Sequence, residues 1–265
     1  VSAITNPTDN TDYNIKSVYP YTGSGCVIIY ESANFLDGSH IYALAVDGSG
    51  QVQNGWPVIL SDLSGDQYYE SSTLTDDGIF ISFAENSSGN YNVYSQLILF
   101  NGYLFFDSSG KSIADGAGDQ HTSSVAYNQD QDQILVCYES PDGTETDIHC
   151  NKVNLLTQIV DDEMIISANN YNQENPFVFW SGHSFMISWV DYRMSSEQND
   201  EEDIFFQEYK NSTLTFSSGG SQLSLFDMKQ ERPIIAKYSD TENSYLIVWE
   251  DYRSTGKEFC ANLYG

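Results

Sequence analysis

Four glutamines, Gln67, Gln120, Gln173 and Gln230, recur in short polar loops, the first three at intervals of 53 residues. Each stands next to an acid: Asp66, Asp119, Glu174 and Glu231. Asp12, in Thr11-Asp12-Tyr13, opens the series without a glutamine. Oxygen donors gathered in one place can hold a cation or the hydroxyls of a polar sugar. The competing reading is that such side chains bond the backbone of their own loops. His121 is the one histidine in this series; His40, His149 and His183 are scattered.

Short strands are the elements that must position these residues. Helical periodicity is nearly absent, and β-branched and aromatic runs alternate with Gly, Asn, Asp and Ser clusters. One apolar strand recurs as Val27–Glu31, Ile79–Phe83, Ile134–Glu139, Phe185–Trp189 and Tyr245–Glu250. Its aromatic residues, Tyr30, Phe83, Tyr138, Trp189 and Trp249, are 53, 55, 51 and 60 residues apart. A strand precedes each copy, and another follows after a polar hairpin. A fourth strand is expected at Val58–Ser61, Ser112–Ala114, Met164–Ser167 and Leu223–Leu225.

A period of this length marks a repeat architecture. The sequence predicts an all-β fold: one five-bladed β-propeller of four-stranded antiparallel blades spanning residues 1–265. The blades fall near 13–63, 68–115, 121–168, 175–226 and 232–265, the last completed by 1–6. The chain ends after the third strand of its fifth copy, and Val1–Asn6 has the length and pattern of the missing fourth strand. Such an offset closes a ring and protects its edges. Alternatively, the N-terminal strand inserts into a neighbouring molecule and drives self-association.

Two copies carry Trp-x-Asp-Tyr-Arg, at Trp189–Arg193 and Trp249–Arg253, and the first is followed by Asp203-Ile204-Phe205-Phe206-Gln207. This resembles extracellular, largely bacterial-type propeller repeats in which a Trp-x-Asp-x-Arg strand end precedes an Asp-Ile-Tyr-x-Gln strand. The resemblance covers the last two copies and implies fold and secretion, with no activity attached. In physical terms the aromatic fills space between blades. The Asp accepts backbone N–H bonds in the turn, and the Arg pairs with acidic loop residues.

Ten basic residues stand against 38 acidic ones, a net charge of −28. That field repels phosphate backbones, so nucleic acid is excluded as a partner. No apolar run reaches the ~20 residues of a membrane-spanning helix. A start at Val1 without a charged-then-apolar leader predicts a segment whose signal peptide is gone. A secreted or extracellular location also fits the sequons at Asn86 and Asn211, both in turns. Of the four cysteines, Cys137 and Cys150 face each other across a hairpin and form either a disulfide or two buried thiols. Cys26 and Cys260 can pair only if the chain ends meet. No cysteine or histidine spacing fits zinc, and no cofactor is implied. Calcium is conceivable at Asp161–Glu163 or Asn199–Asp203, but no calcium-loop spacing is present.

Two functions follow. The first is an extracellular, non-enzymatic module for binding, adhesion or assembly, meeting carbohydrate or protein surfaces through exposed Tyr and Asn. In that reading no residue is catalytic, and Asp12, Asp66, Gln67, Asp119, Gln120, Gln173, Glu174, Gln230 and Glu231 form the binding mouth. The alternative is a carbohydrate-active enzyme resembling glycoside hydrolases, some of which use five-bladed propellers. Such an enzyme needs two carboxylates at the mouth, drawn from Asp12, Asp66, Asp119, Glu174 and Glu231.

Overall fold

Alternation of buried and exposed side chains puts the apolar runs on sheet faces, and the Gly- and Asn-rich punctuation falls in hairpin turns. The computed structural model describes residues 12–34, 38–194, 202–217, 219–224, 229–239, 244–252 and 258–264. Among these there is no helix, and the strands form antiparallel sheets in chain order. The first sheet contains β1 (Asp12–Pro20), β2 (Cys26–Asn34), β3 (Gly38–Val46) and β4 (Val58–Ile59). The second contains β5 (Gln67–Leu74), β6 (Gly78–Glu85), β7 (Asn92–Leu99) and β8 (Lys111–Ala114). The third contains β9 (His121–Asn128), β10 (Gln133–Asp142), β11 (Glu145–Asn154), β12 (Ile159–Val160) and β13 (Met164–Ser167). The fourth contains β14 (Gln173–Trp180), β15 (Phe185–Asp191), β16 (Asp203–Lys210), β17 (Thr213–Leu214) and β18 (Ser221–Gln222). The fifth contains β19 (Gln230–Ser239), β20 (Ser244–Asp251) and β21 (Glu258–Tyr264).

The apolar run of each repeat is the second strand of its sheet, bonded on both sides. Ile79, Ile81 and Phe83 of β6 and Ile134, Leu135 and Val136 of β10 are fully buried. The repeated aromatics reach the same depth: Phe83, Tyr138, Trp189 and Trp249 are all within 1% of complete burial. The chain separates into two compact units, Val1–Ala117 and Gly118–Gly265. The first unit has a core of Val27, Ile29, Ile41, Leu60 and Ile81. The second contains the cluster around Leu135, Ile187, Trp189 and Phe205, and another around Ile235, Ile247 and Trp249. Within each unit polar bonds also join neighbouring sheets. The Tyr19 hydroxyl lies 2.7 Å from Ser72 Oγ, and the Val178 N–H donates to Ser124 Oγ at 3.0 Å.

The fourth strand of the fourth sheet departs from expectation. It lies at Ser221–Gln222, two residues before the expected Leu223–Leu225. Leu223 still donates its N–H to the Ile204 carbonyl at 2.8 Å, while Ser224 Oγ accepts the Ile204 N–H at 2.9 Å in place of a backbone carbonyl; Leu225 lies outside the described residues. Residues 1–6 lie outside the described set, and with them the expected completion of the last blade. Cys137 and Cys150 are direct cross-strand partners in β10 and β11 and form a disulfide. Cys26 is unbridged among the described residues, and the Cys260 side chain lies outside them. Asn86 and Asn211 both occupy hairpin turns, as expected, and Asn211 is exposed. No helix among the described residues is long and apolar enough to cross a membrane.

Candidate functional site

The recurring glutamines begin, or just precede, the first strand of their sheets. They are buried, with 2% exposure or less at Gln67, Gln120, Gln173 and Gln230. Gln67 donates from Nε2 to the Leu63 carbonyl at 3.1 Å, and Gln173 donates likewise to the Tyr171 carbonyl. These two bond their own loops and do not line an open mouth. Because strand side chains alternate, the next residue faces the other way. The positions that reach solvent at this end are therefore Tyr68, His121, Glu174 and Glu231. The expected mouth merged two opposite faces of one strand.

Two residues past each glutamine the strand bulges. The pairing register shifts after Tyr69 and after Glu174, and Thr122, Asn175 and Arg232 have φ of 53°, 54° and 51°. Left-handed backbone is tolerable for Asn and costly for a β-branched residue such as Thr122. In the second and fourth sheets the bulge turns a backbone N–H toward a carboxylate on the preceding sheet. Glu31 Oε1 accepts the Tyr69 N–H at 2.7 Å, and Glu139 Oε1 accepts the Asn175 N–H at 2.8 Å.

Glu31 and Glu139 occupy the same place in their repeats, one past the aromatic, but they differ in chemistry. Glu31 Oε2 is neutralised by Lys16 Nζ at 2.8 Å. Glu139 Oε2 faces His121 Nδ1 at 3.3 Å, and that imidazole touches Thr122 Oγ1 at 2.7 Å. Burial is the main force raising the Glu139 carboxyl from 4.5 to about 7; the Asn175 N–H opposes it and the Glu174 charge adds to it. A carboxyl that keeps its proton to neutrality, beside an imidazole and within the field of a second carboxylate, can act as a general acid.

The rest of the second unit extends this end into a polar chain. Glu174 accepts from Asn172 Nδ2 at 3.1 Å and from the Tyr192 hydroxyl at 3.1 Å. The Tyr192 hydroxyl is raised well above the phenol range, by burial first and then by Glu174 and Glu202. Glu202 is 5% exposed and pairs with Lys229 at 3.0 Å, which also holds Glu231 at 2.5 Å. Burial raises the Glu202 carboxyl despite Lys229. Asp119 is exposed, and the Asp12 side chain lies outside the described residues. In the first unit, Asp66 Oδ1 accepts the Ser39 N–H at 2.9 Å and lines a cleft of about 520 Å³ with Asn14, Glu31 and Tyr68. No group of three or more His, Cys, Asp or Glu among the described residues is placed to hold a metal.

Elsewhere the strand-end acids are structural. Glu85 Oε1 accepts the N–H groups of Ser87 at 2.8 Å and Gly65 at 3.2 Å. Asp191 Oδ1 accepts the Arg193 N–H at 2.9 Å, as expected for a turn Asp. The expected pairing of Arg193 with the acidic loop at 195–201 lies outside the described residues. Among the described residues its guanidinium curls back to Asp191 at 2.5 Å and donates to the Ser167 hydroxyl and the Gly219 carbonyl, each at 2.9 Å. It lies 4.1 Å over the Phe205 ring, which fixes that return path.

No family model and no curated protein matches the sequence. Solved structures do match in fold. An endo-arabinase from Bacteroides thetaiotaomicron VPI-5482 is 9% identical, with a TM-score of 0.51 over 98% of this chain and 95% of that one. A thermostable family-43 glycoside hydrolase is also 9% identical, with a TM-score of 0.50 over 98% and 92%. A sucrose-6-phosphate hydrolase from Lactobacillus gasseri is 10% identical, with a TM-score of 0.51 over 89% and 53%. The fold is thus the all-β fold of propeller-type glycoside hydrolases.

That likeness overturns the expectation of a non-enzymatic adhesion or assembly module. In the sequence Glu139 stands only as the end of an apolar strand, outside the acids expected at the mouth. Its signal was the partner at its side: a lysine serves the corresponding glutamate of the first repeat, and a histidine that of the third.

Proposed function

We propose that this chain is a glycoside-hydrolase-like propeller that cleaves a neutral polysaccharide outside the cytosol, with the five sheets as its blades. The observation that carries this reading is Glu139, buried, raised to about 7 and paired with His121 rather than a lysine. Protonated Glu139 donates its proton to the glycosidic oxygen as the bond from that oxygen to the anomeric carbon breaks. Water adds to the anomeric carbon and loses its proton to the Glu174 carboxylate. Glu174 then releases that proton to solvent, and Glu139 takes one up from solvent by way of His121, which restores both groups. The net charge of −28 disfavours a phosphorylated or polyanionic substrate. Neutral arabinan is therefore the first probe, and the Cys137–Cys150 disulfide fits an oxidising compartment.

The test is release of reducing ends from linear arabinan, with sucrose 6-phosphate as the anionic control. Glu139→Gln should lower kcat by about 10²- to 10⁴-fold while leaving the folded spectrum intact, and Glu174→Gln should act on the same step. Full activity in the Glu139→Gln enzyme would remove the carboxyl from the mechanism. An inactive wild-type chain on arabinan and on other neutral polysaccharides would remove the reading altogether.

A further inference from the structure

Thr122 holds a backbone conformation that its own side chain resists. Its φ is 53°, and Asn175 and Arg232, at the same place in the fourth and fifth sheets, have 54° and 51°. Neither of those two is branched at Cβ, and Asn enters this region readily. A β-branched residue here is an outlier, and residues held this way cluster at functional sites.

The three sheets use this position differently. In each, the residue just before it pairs with the residue that follows the repeated aromatic: His121 with Glu139, Glu174 with Val190, Glu231 with Glu250. In the fifth sheet Arg232 reaches that acid and neutralises it, with Nη1 3.0 Å from Glu250 Oε1. The fourth sheet has Val190 there and no acid to meet. In the third sheet the side chain is a hydroxyl. Thr122 Oγ1 lies 2.7 Å from His121 Nδ1, and the same hydroxyl bonds the Glu139 carboxyl. The direct contact between His121 Nδ1 and Glu139 Oε2 is longer, at 3.3 Å. Glu139 Oε1 is held by the Asn175 N–H. The other groups facing this carboxyl are Glu174 from β14 and, across β11, the apolar Ile148. The His121 side chain is 43% exposed and that of Glu139 is 8% exposed, so solvent protons reach the imidazole first.

We propose that Thr122 is a positioning residue whose hydroxyl couples the His121 imidazole to the Glu139 carboxyl and passes on the proton that returns from solvent. Its place in turnover rests on the hydrolase reading above. With Glu139 ionised, the His121 imidazolium donates its Nδ1–H to Oγ1 and the hydroxyl donates to the carboxylate. As the Nδ1–H bond breaks, that proton bonds to Oγ1, and the proton that Oγ1 held bonds to Glu139. Imidazolium and carboxylate become imidazole and carboxylic acid, and the hydroxyl is neutral before and after. A hydroxyl can do this because it both donates and accepts, whereas the guanidinium of Arg232 only donates.

The test compares Thr122→Val, which keeps the shape and the branch without the hydroxyl, and Thr122→Ser, which keeps the hydroxyl. NMR titration of full chain with ¹³C-labelled glutamate carboxyls, with Glu139 assigned from Glu139→Gln, needs no substrate. Glu139 should titrate near 7 in the wild type and higher in Thr122→Val, because the hydroxyl favours the ionised form. Thr122→Ser should return it to the wild-type midpoint. On arabinan, Thr122→Val should lower kcat about 10-fold, the worth of one hydrogen bond, and added imidazole buffer should restore part of the loss. The alkaline limb of its pH profile should move up with the Glu139 titration. A Glu139 titration unmoved in Thr122→Val, or moved equally by serine and valine, would overturn the proposal whether or not the chain hydrolyses arabinan. A shifted titration in a chain whose wild type cleaves no neutral polysaccharide would uphold the coupling and sink the hydrolase reading alone.

Discussion

Two side chains in the second unit set the residue-scale behaviour. Glu139 is raised from 4.5 to about 7 in the folded protein. Between those values the folded state holds a proton that the unfolded chain has released. Stability from this group is therefore full below pH 4.5 and is lost as pH rises through 7, by ~3 kcal/mol at most. Denaturant unfolding at pH 4.5 and 7.5 should show this decline in the wild type and its absence in Glu139→Gln; parallel profiles would contradict the assigned burial. Arg193 is the second case. It meets a carboxylate, Asp191, with no exposure at all. Arg193→Ala should cost about 3 kcal/mol, because it strands a buried charge. Arg193→Lys should recover only part of that, since an ammonium has no planar fork to reach Asp191 and the Gly219 carbonyl together. Equal stability of the lysine variant and wild type would sink that geometry.

The bulge in the first strand of the second and of the fourth sheet is an element-scale device. It takes one residue out of register and presents its N–H to a carboxylate of the preceding sheet, as Tyr69 does to Glu31 and Asn175 to Glu139. The ladder loses one bond and a charge-assisted bond between sheets replaces it. The β10–β11 hairpin is reinforced differently, by a disulfide between directly paired residues 13 apart in sequence. Ten register pairs already hold these strands, so the crosslink acts chiefly on the unfolded chain. A loop of this size is worth roughly 3 kcal/mol. The double variant Cys137→Ala/Cys150→Ala should keep the wild-type far-ultraviolet spectrum and lose stability of that order. An unchanged denaturation midpoint would show that the hairpin is equally restricted before folding.

For the whole molecule the governing quantity is charge. With 38 acidic and 10 basic residues, self-repulsion opposes the compact state and is screened over about 10 Å at 0.1 M salt. Raising NaCl from about 0.01 to 0.5 M should therefore raise Tm by several degrees, and a flat or falling Tm would mean that the acids are already paired. The sequence alone determined the all-β class, the positions of most strands and that Cys137 and Cys150 face each other across one hairpin. These depend on period-two alternation and turn chemistry, both local along the chain. The tertiary structure alone decided that the glutamines face inward while His121 and Glu174 face out. It also placed His121, rather than a lysine, against Glu139. Those facts depend on residues distant in sequence meeting in space, and on which face of a bulged strand each one occupies.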